Sequence, residues 1–514
     1  MAEAAAISQP TLVVKNKGLL TAAIMLAMVM QVLDTTIANV ALPHMRSALQ
    51  ASQDEVSWVL TSYVVAAAIA TPLSGWLADR MSRRLLLLVG VAGFTGASLL
   101  CGLATSLPQM VMFRILQGLF GATLAPLAQA IMLDINPREK MGQAMAMFGL
   151  GVMVAPIVGP TLGGILTENL DWRWVFLVNL PVGALAFAAL FFFMPKEKTK
   201  VRKFDFFGFG MLAVAVASTQ MIFDRGQGVG WFESPEIWLY VGLAISGMWM
   251  FIVHCATAEN PFVDLKMFQD RNFVMGLLFI FLIGITTFSG LALLPPLLQN
   301  LMGYSVIDTG ILMAPRGIGT MVSMIFVGRL VGRLDARILV LSGLAVSAYS
   351  LFMMTGFDLS MDKGPIMLSG FLQGIGLGLV FVPLNTLAFA TIAPRLRVDA
   401  TAFFSLVRNV GQGVGISLVM AVLTQMMAVN TAELAERVTL NRGPIRDLPG
   451  VLAGVPTTIS QLSGLVQQQA AMLAYLDDFA LMTVVTIISV PIVFFLRRPK
   501  GPVAKPDPAH AVAE

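Results

Sequence analysis

The chain is a succession of long apolar segments separated by short polar ones. Fourteen of these segments have the length of about 18–25 residues that a helix needs to cross a bilayer. They lie near residues 18–42, 58–78, 85–104, 108–133, 142–166, 173–194, 206–224, 236–256, 273–298, 309–328, 338–357, 365–392, 402–428 and 479–496. This pattern predicts an all-α polytopic membrane protein with fourteen transmembrane helices.

Composition supports a membrane protein. Hydrophobic residues make up 57% of the 514 residues and charged residues only 12%, whereas soluble proteins carry about 25% charged residues. The two cysteines, Cys101 and Cys255, both lie in apolar segments and predict neither a disulfide framework nor a metal cluster. We expect the lipid bilayer rather than nucleic acid to be the partner of the excess positive charge, and we expect no cofactor.

The lysines and arginines fix a predicted orientation. If both termini are cytoplasmic, 23 of the 33 lie on the inner side, seven lie outside, and Arg114, Arg316 and Arg408 lie within spans. By the positive-inside rule both termini, including the tails 1–17 and 499–514, are predicted to be cytoplasmic. Arg408 has no acidic residue in its span, and its role is not assigned.

An internal repeat divides the chain into two halves. Residues 75–92 align without gaps to residues 328–345, with eight of eighteen positions identical, and the same offset places Pro43 on Pro296. The tripeptide LQG recurs further along each copy. The repeat predicts parallel six-helix bundles at 18–200 and 261–498, with two inserted helices in 201–260. Parallel six-helix halves are the plan of major-facilitator transporters, which bind substrate between the halves.

Five motifs carry a family resemblance over essentially the whole chain. They are GWLADRMSRR (75–84), RILQG (114–118), APIVGPTLGG (155–164), WRWVFLVNLP (172–181) and DRGQGVGWF (224–232). With these motifs the chain resembles the fourteen-helix drug:proton antiporter branch of the major facilitator superfamily, and within it the EmrB-type subunits of tripartite efflux pumps. The resemblance implies proton-driven export of drugs, without a cofactor, across a bacterial inner membrane.

The first motif implies a conformational latch on the cytoplasmic side. In the family this loop holds one conformational state by charge pairs, and the matching residues here are Gly75, Asp79, Arg83 and Arg138. The resemblance would place Asp79 near one of the arginines or a helix N-terminus. Ser82 stands where the family usually has glycine. The alternative for the arginines is that they only obey the positive-inside rule.

The third motif places small residues at a spacing of four along the fifth predicted helix. Such a ridge lets a second helix backbone approach closely, and the two prolines interrupt the hydrogen-bond ladder and permit bending. The resemblance identifies this segment as an antiporter signature associated with export, although ordinary helix packing would explain the spacing equally well. The motif residues are Gly151, Ala155, Pro156, Gly159, Pro160, Gly163 and Gly164.

One carboxylate, Asp34, lies well inside the first apolar segment. It is roughly 12 Å below the outer end of its helix, and Arg114 is roughly 9 Å below the outer end of the fourth. Charges at matched depth in a membrane are each other's natural partners, and intramembrane charges are functional by default. We therefore predict that Asp34 couples transport to protons and that Arg114 modulates it. A static ion pair that only fixes helix packing is the alternative.

Polar residues surround the predicted pair. Gln31, Asp34 and Thr35 share one helix face, and Gln117 follows Arg114 by one turn. A predicted substrate cavity is lined by Gln31, Thr35, Asn39, Trp58 and Gln117. In the second half, the repeat places Thr287 and Gly370 at the positions of Asp34 and Arg114, so the first half is predicted to handle the proton.

The longest predicted outer loop, 429–476, contains an amphipathic segment at 461–479. That segment could lie on the membrane surface or dock a partner, and the loop could instead act as a lid over the outer mouth. The resemblance implies a periplasmic membrane-fusion adaptor and an outer-membrane channel as partners. Export of an endogenous metabolite, lipid or siderophore is the alternative function. A membrane-embedded enzyme is disfavoured, because the sequence lacks G-x-S-x-G, H-E-x-x-H and Walker A patterns.

Overall fold

The computed structural model describes residues 12, 14, 16–197, 199, 203–331, 334–437 and 456–496. The regular secondary structure of these residues is helical. The predicted tail 499–514 and most of the predicted tail 1–17 lie outside the described residues. The expectation of an all-α chain is confirmed.

Nine helices build the first half and eight build the rest of the described chain. The first half contains α1 (Lys17–Ala48), α2 (Gln53–Ala70), α3 (Leu73–Met81), α4 (Arg83–Leu103), α5 (Leu107–Gly121), α6 (Leu124–Asp134), α7 (Met141–Asn169), α8 (Trp174–Leu177) and α9 (Asn179–Phe193). The inserted pair is α10 (Phe206–Arg225) and α11 (Pro235–Thr257). The second half contains α12 (Arg271–Pro296), α13 (Val306–Leu330), α14 (Ala336–Met354), α15 (Lys363–Phe389), α16 (Arg397–Arg437) and α17 (Pro456–Ile488).

The helices account for the predicted membrane spans. Within the described residues, thirteen helical segments are long and apolar enough to cross a membrane, and α2 with α3 forms a fourteenth that is bent by 61°. The bend falls at Thr71 and Pro72, where proline cannot donate to the helical ladder. The predicted count of fourteen is confirmed by length and composition.

Side-chain caps mark where several helices begin. Ser52 and Glu55 form a reciprocal capping box at the start of α2, with hydrogen bonds of 3.2 and 2.9 Å. Asp270 accepts hydrogen bonds from the backbone N–H groups of Asn272 and Phe273 at the start of α12. These caps satisfy backbone donors that the first helical turn leaves free.

The two halves repeat the same packing. In the first half α1 packs against α7 and α9, and α5 packs against α2 and α4. In the second half α12 packs against α16 and α17, and α15 packs against α13 and α14. These pairs correspond helix by helix under the sequence repeat. The internal repeat is therefore a repeat of tertiary structure as well as of sequence.

The halves meet along several helices. The long helix α7 packs against α13, while α3 and α6 pack against α16. Gln129 donates to Asn385 across this boundary at 2.7 Å, and Thr401 donates to the Pro126 carbonyl at 3.0 Å. These contacts lie toward the predicted cytoplasmic end of the bundle.

The inserted helix α10 lies at the seam between the halves. It packs against both α2 and α16. Asp224 accepts a hydrogen bond from Thr61 of α2, and the Phe223 carbonyl accepts one from Ser417 of α16. The inserted pair is therefore anchored to both halves by α10.

The described part of the predicted outer loop 429–476 is helical rather than irregular, and its outer location stays a prediction. Helix α16 continues to Arg437, and α17 begins at Pro456; residues 438–455 lie outside the described part of the chain. The amphipathic segment 461–479 is helical, but it is continuous with the last span rather than a separate surface helix. Met472 of this segment is buried and Gln468 reaches the Leu301 carbonyl at 3.2 Å, whereas Leu465 and Leu473 are exposed.

Candidate functional site

Asp34 forms an ion pair with Arg114 inside the first half. Helix α1 carries the carboxylate and α5 carries the guanidinium, and both side chains are almost wholly buried. Arg114 Nη1 lies 2.6 Å from Asp34 Oδ2. The pairing predicted from matched membrane depth is therefore confirmed.

Two amides complete the shell around the carboxylate. Gln117 and Asn179 each donate to Asp34 Oδ1 at 2.8 Å. Arg114 also donates to the Val59 carbonyl at 2.9 Å and to Gln117 Oε1 at 2.7 Å. Asp34 thus accepts three hydrogen bonds from side-chain N–H groups, which is the pattern of an ionised carboxylate.

Aromatic rings and a serine hold the pair in place. The Arg114 guanidinium carbon lies 4.4 Å from the centre of the Tyr63 ring and 5.6 Å from that of Phe176. Cation–π contacts of this kind stabilise a buried guanidinium by about 2 kcal/mol when water is excluded. Ser98 accepts from Asn179 at 3.0 Å and donates to the Phe176 carbonyl at 2.9 Å. Removing one partner of such a pair leaves a buried charge uncompensated, at a cost of about 3–5 kcal/mol.

The sequence prediction missed Tyr63, Ser98 and Asn179. Asn179 falls inside the motif WRWVFLVNLP, where a single amide among apolar residues was the available signal. Ser98 and Tyr63 lie in apolar segments, and neither residue type is unusual there. Only their tertiary contacts reveal that they belong to this site.

The predicted cavity residues fall in different environments. Gln117 is buried against the ion pair. Gln31, Thr35 and Trp58 are half-buried, and Asn39 is exposed. Thr35 donates to the carbonyl of Val32 in its own helix at 2.7 Å. A substrate-binding role for these residues stays a prediction.

The predicted latch contains a carboxylate that the sequence analysis did not assign. Arg83, at the start of α4, pairs with Asp134 at the end of α6 and with Glu197. Asp134 also pairs with Arg397 of the second half. The charge pairs therefore connect the two halves at the predicted cytoplasmic end.

Gly75 permits a close approach between the halves. A Cβ atom at this position would lie 1.6 Å from a carboxylate oxygen of Asp399, at the start of α16. Asp79 is half-buried near the end of α3, and its latch role stays a prediction. The side chain of Arg138 lies outside the described part of the structure.

Ser82 adopts a backbone conformation that favours glycine. Its φ is +70°, and its side chain accepts a hydrogen bond of 3.4 Å from the Leu85 N–H. This explains why glycine is usual at this position of the latch motif. The serine caps α4 at the cost of backbone strain.

The small residues of the antiporter motif form the contact between α7 and α1. A Cβ atom at Gly151 would meet Met25 at 2.1 Å, and one at Gly159 would meet Thr36 at 2.1 Å. Gly163 lies against the backbone of Ile37. The predicted ridge is therefore confirmed as a packing surface, and the helix packed on it is the one that carries Asp34.

The remaining motif residues lie in the same continuous helix. Ala155 is fully buried, and its carbonyl lies 3.5 Å from the Thr36 hydroxyl. Pro156 and Pro160 are inside α7 without ending it. The Gly164 carbonyl accepts a hydrogen bond from Thr167 at 3.1 Å.

The second half contains two small cavities that meet at Arg316. The larger, of about 40 Å³, is lined by residues of α12 to α15 and α17. The smaller, of about 10 Å³, extends to Met153 and Pro156 of α7. Arg316, Thr287 and Leu377 line both cavities. The two cavities therefore share Arg316, and only the smaller one reaches the boundary with the first half.

Two further buried charges lie in the second half. Arg408 is 8% exposed, and its Nε has no hydrogen-bond partner within the described residues. Asp478 is fully buried in α17, and neither carboxylate oxygen has a described partner. Asp478 lies just before the predicted start of the last span at residue 479, and the structure includes it in the continuous helix α17.

Comparison with known proteins identifies the family. The sequence profile of the Major Facilitator Superfamily matches residues 24–416. The chain is 35% identical over 454 residues to the multidrug export protein EmrB of Escherichia coli strain K12, covering 88% of this chain and 89% of that protein. It is 33% identical over 481 residues to the fatty acid resistance protein FarB of Neisseria gonorrhoeae, covering 92% and 95%.

Solved structures share the fold at low sequence identity. The human organic anion transporter MFSD10 (TETRAN) superposes with a TM-score of 0.58 and 14% identity, covering 91% of this chain and 99% of that one. The proton:xylose symporter XylE gives a TM-score of 0.56 and 13% identity, covering 91% and 94%. These likenesses show the major-facilitator fold.

Proposed function

Because this chain belongs to the major facilitator superfamily and is a multi-pass inner-membrane transporter of the EmrB type rather than an enzyme, we propose that it exports amphipathic drugs or toxic compounds in exchange for protons. The observation that carries the proposal is the buried Asp34–Arg114 pair. Intramembrane ionisable residues of this kind are characteristic of proton pathways.

In the proposed mechanism, the structure represents the deprotonated state of Asp34. All three hydrogen bonds that Asp34 accepts come from N–H donors. Protonation would remove the counter-charge of Arg114, which would retain its bonds to the Val59 carbonyl and Gln117. Because Arg114 and two amides occupy the carboxylate oxygens in this conformation, a proton can bind to Asp34 only when the Asp34–Arg114 contact loosens. In our proposal this happens in the alternative conformation.

Helix α7 provides a mechanical connection for this coupling. One face of α7 packs against α1 through Gly151 and Gly159, and another packs against α13 of the second half. Gly149 lies against Met324, and Gly310 lies against Thr161. Movement of the second half therefore acts on the helix next to α1, and through it on the surroundings of Asp34.

The charge pairs at the predicted cytoplasmic end supply a second element of the proposal. Asp134 holds Arg83 and Arg397 together across the halves while this end is closed. Opening this end separates Asp134 from Arg397, so Arg397 loses this counter-charge while Asp134 keeps its pair with Arg83. In our proposal the latch stabilises one of the two conformations between which the transporter alternates.

We further propose that the protein works with a periplasmic adaptor and an outer-membrane channel. The 41-residue helix α16 measures about 60 Å, twice the thickness of about 30 Å of a bilayer core. Its C-terminal part and the start of α17 therefore extend beyond the lipid, where an adaptor could bind. The alternative role for the ends of these two helices is to act as a lid over the transporter's own outer mouth. Cross-linking in native membranes from cysteines at Ala432 and Ser463 tests for the adaptor.

Transport in everted membrane vesicles tests the export proposal. We expect an energised vesicle to accumulate a fluorescent amphipathic dye, and we expect an uncoupler to abolish the accumulation. Accumulation that persists after the pH gradient has collapsed would contradict proton-driven export. A substrate panel that adds metabolites, lipids and siderophores distinguishes drug export from export of an endogenous compound.

A further inference from the structure

The two halves contain pseudo-equivalent polar sites with different charges. The offset of the repeat relates Asp34 to Thr287 and Tyr63 to Arg316, and the LQG match relates Gln117 to Gln373. The structure supports this correspondence. A Cβ atom on Gly118 would lie 2.5 Å from the Tyr63 carbonyl, and one on Gly374 would lie 2.0 Å from the Arg316 carbonyl.

Arg316 has no ionic partner in its half. It is 4% exposed, and Nη2 donates to the Thr287 carbonyl at 3.0 Å. Nη1 is buried without a hydrogen-bond partner within the described residues, and no described carboxylate forms an ion pair with this arginine. A buried guanidinium is stable only when a negative group or other acceptors compensate it. The missing acceptor is the feature that distinguishes this site from the site of Arg114.

The unpartnered Nη1 of Arg316 and the amide of Gln373 meet at one notch beside α12. The buried Oε1 of Gln373, which has no described partner, is an acceptor and does not bind an anion, so the donor of this amide is Nε2. A Cβ atom on Gly290 would lie 3.4 Å from both Arg316 Nη1 and Gln373 Nε2. Guanidinium and amide donors thus face the same opening. In the first half, the corresponding donors of Arg114 and Gln117 face the Asp34 carboxylate.

We infer that Arg316 and Gln373 bind the anionic headgroup of the substrate, and that the substrate is an amphipathic organic carboxylate. Its carboxylate takes the place in the second half that Asp34 takes in the first. The cavity of about 40 Å³ accommodates a headgroup rather than a whole drug. The smaller cavity, of about 10 Å³, has room for no more than a water molecule in this conformation, so the apolar body reaches past it, toward Met153 and Leu291, only when the halves separate.

This assignment rests on the proposed export function but makes a separate claim about charge. Arg408 is a second buried cation on α16 of the same half. Bidentate geometry and permanent charge make arginine the usual side chain for recognising a carboxylate. A carboxylate is therefore favoured here over a cationic compound.

Equilibrium binding to the purified full-length protein tests the assignment without a proton gradient. The measurement is scintillation-proximity binding of tritiated decanoate at pH 7.5, with unlabelled decanoate, decanol and decylammonium as competitors of equal chain length. We expect decanoate to compete at least tenfold more strongly than the other two. Equal competition by decanol or stronger competition by decylammonium would overturn the assignment.

Three variants locate the binding. Arg316→Gln should weaken decanoate binding at least tenfold, and Gly290→Ala should weaken it by filling the notch while leaving the charge in place. The exposed Arg329 lies in the last turn of the same helix, and Arg329→Gln should bind like the wild type. Unchanged binding by a folded Arg316→Gln or Gly290→Ala protein would refute the assignment. Dye export driven by a pH gradient is measured separately in wild-type vesicles. Failure of decanoate binding with intact dye export would therefore count against this inference and not against proton antiport.

Discussion

Asp134 forms ion pairs with Arg83 of its own half and with Arg397 of the other half. Its side chain is 3% exposed, so the two arginines share one almost wholly buried carboxylate. Thr401, one helical turn beyond Arg397, donates to the Pro126 carbonyl in the same region. The end of the bundle predicted to be cytoplasmic is therefore closed by a specific charge arrangement, not by apolar contact alone.

Asp134→Asn should loosen this end of the bundle, because two arginines would lose their shared counter-charge. The measurement is maleimide labelling of a cysteine introduced at Thr401 in a background without Cys101 and Cys255. We expect labelling to become several-fold faster. Glu139→Gln, at an exposed carboxylate nearby, serves as the control and should leave the rate unchanged. Equal labelling rates in both variants would show that the ion pairs do not hold the halves together.

Ser82→Gly should stabilise the protein by relieving backbone strain at a positive φ. Residues held in such conformations cost about 1–3 kcal/mol, and the capping hydrogen bond that would be lost is long, at 3.4 Å. We expect a higher melting temperature in detergent. Ser82→Ala keeps the strain and loses the cap, so it should melt below the wild type. A glycine variant that melts at or below the alanine variant would contradict this reading of the conformation.

Gly159→Ala should disturb the packing of α7 on α1. The added methyl group would overlap the Thr36 hydroxyl at 2.1 Å, and overpacking of this kind costs about 1–3 kcal/mol. We expect both thermal stability and dye export to fall. The matched control is Gly96→Ala in α4, where a Cβ atom would have no neighbour within 4 Å. Equal effects of the two substitutions would argue against a special contact at Gly159.

Asp478→Leu should raise thermal stability. The wild-type carboxylate is fully buried and has no described hydrogen-bond partner, and leaving a buried polar group unsatisfied costs on the order of 1–3 kcal/mol. Asp477→Leu is the control, because Asp477 is exposed and lies 3.4 Å from Asn430. A melting temperature lowered by Asp478→Leu would mean that this carboxylate makes a stabilising interaction in the folded protein.

The fold and the pairing of Asp34 with Arg114 could be predicted from the sequence. Helix length in a bilayer is fixed by hydrocarbon thickness, so the fourteen spans follow from apolar segment length. Two charges at the same depth in lipid have few alternative partners. The small-residue spacing of α7 likewise predicted a close helix contact, although it did not identify α1 as the partner.

The other residues of the site are brought together by the packing of different helices. The spacing of residues along a single helix does not determine which neighbouring helix their side chains contact. Asn179 and Tyr63 reach the ion pair only because α9 and α2 pack beside α1 and α5. Asp134 joins the latch through an arginine that is more than 260 residues away along the chain. The apolar pattern predicts that the last span begins at residue 479, because polar residues precede it, whereas the helix begins at Pro456 and continues through them.

The protonation role of Asp34 is tested most directly by uphill transport in proteoliposomes with an imposed pH gradient. Wild-type protein should accumulate a compound identified in the vesicle panel against its concentration gradient. Asp34→Asn protein should still exchange the compound at equal concentrations on both sides but should not accumulate it. Asp308→Asn, at a carboxylate whose side chain is 45% exposed and lies far along the chain from Asp34, is the control and should accumulate it normally. Uphill accumulation by folded Asp34→Asn protein at the wild-type rate would contradict the assignment.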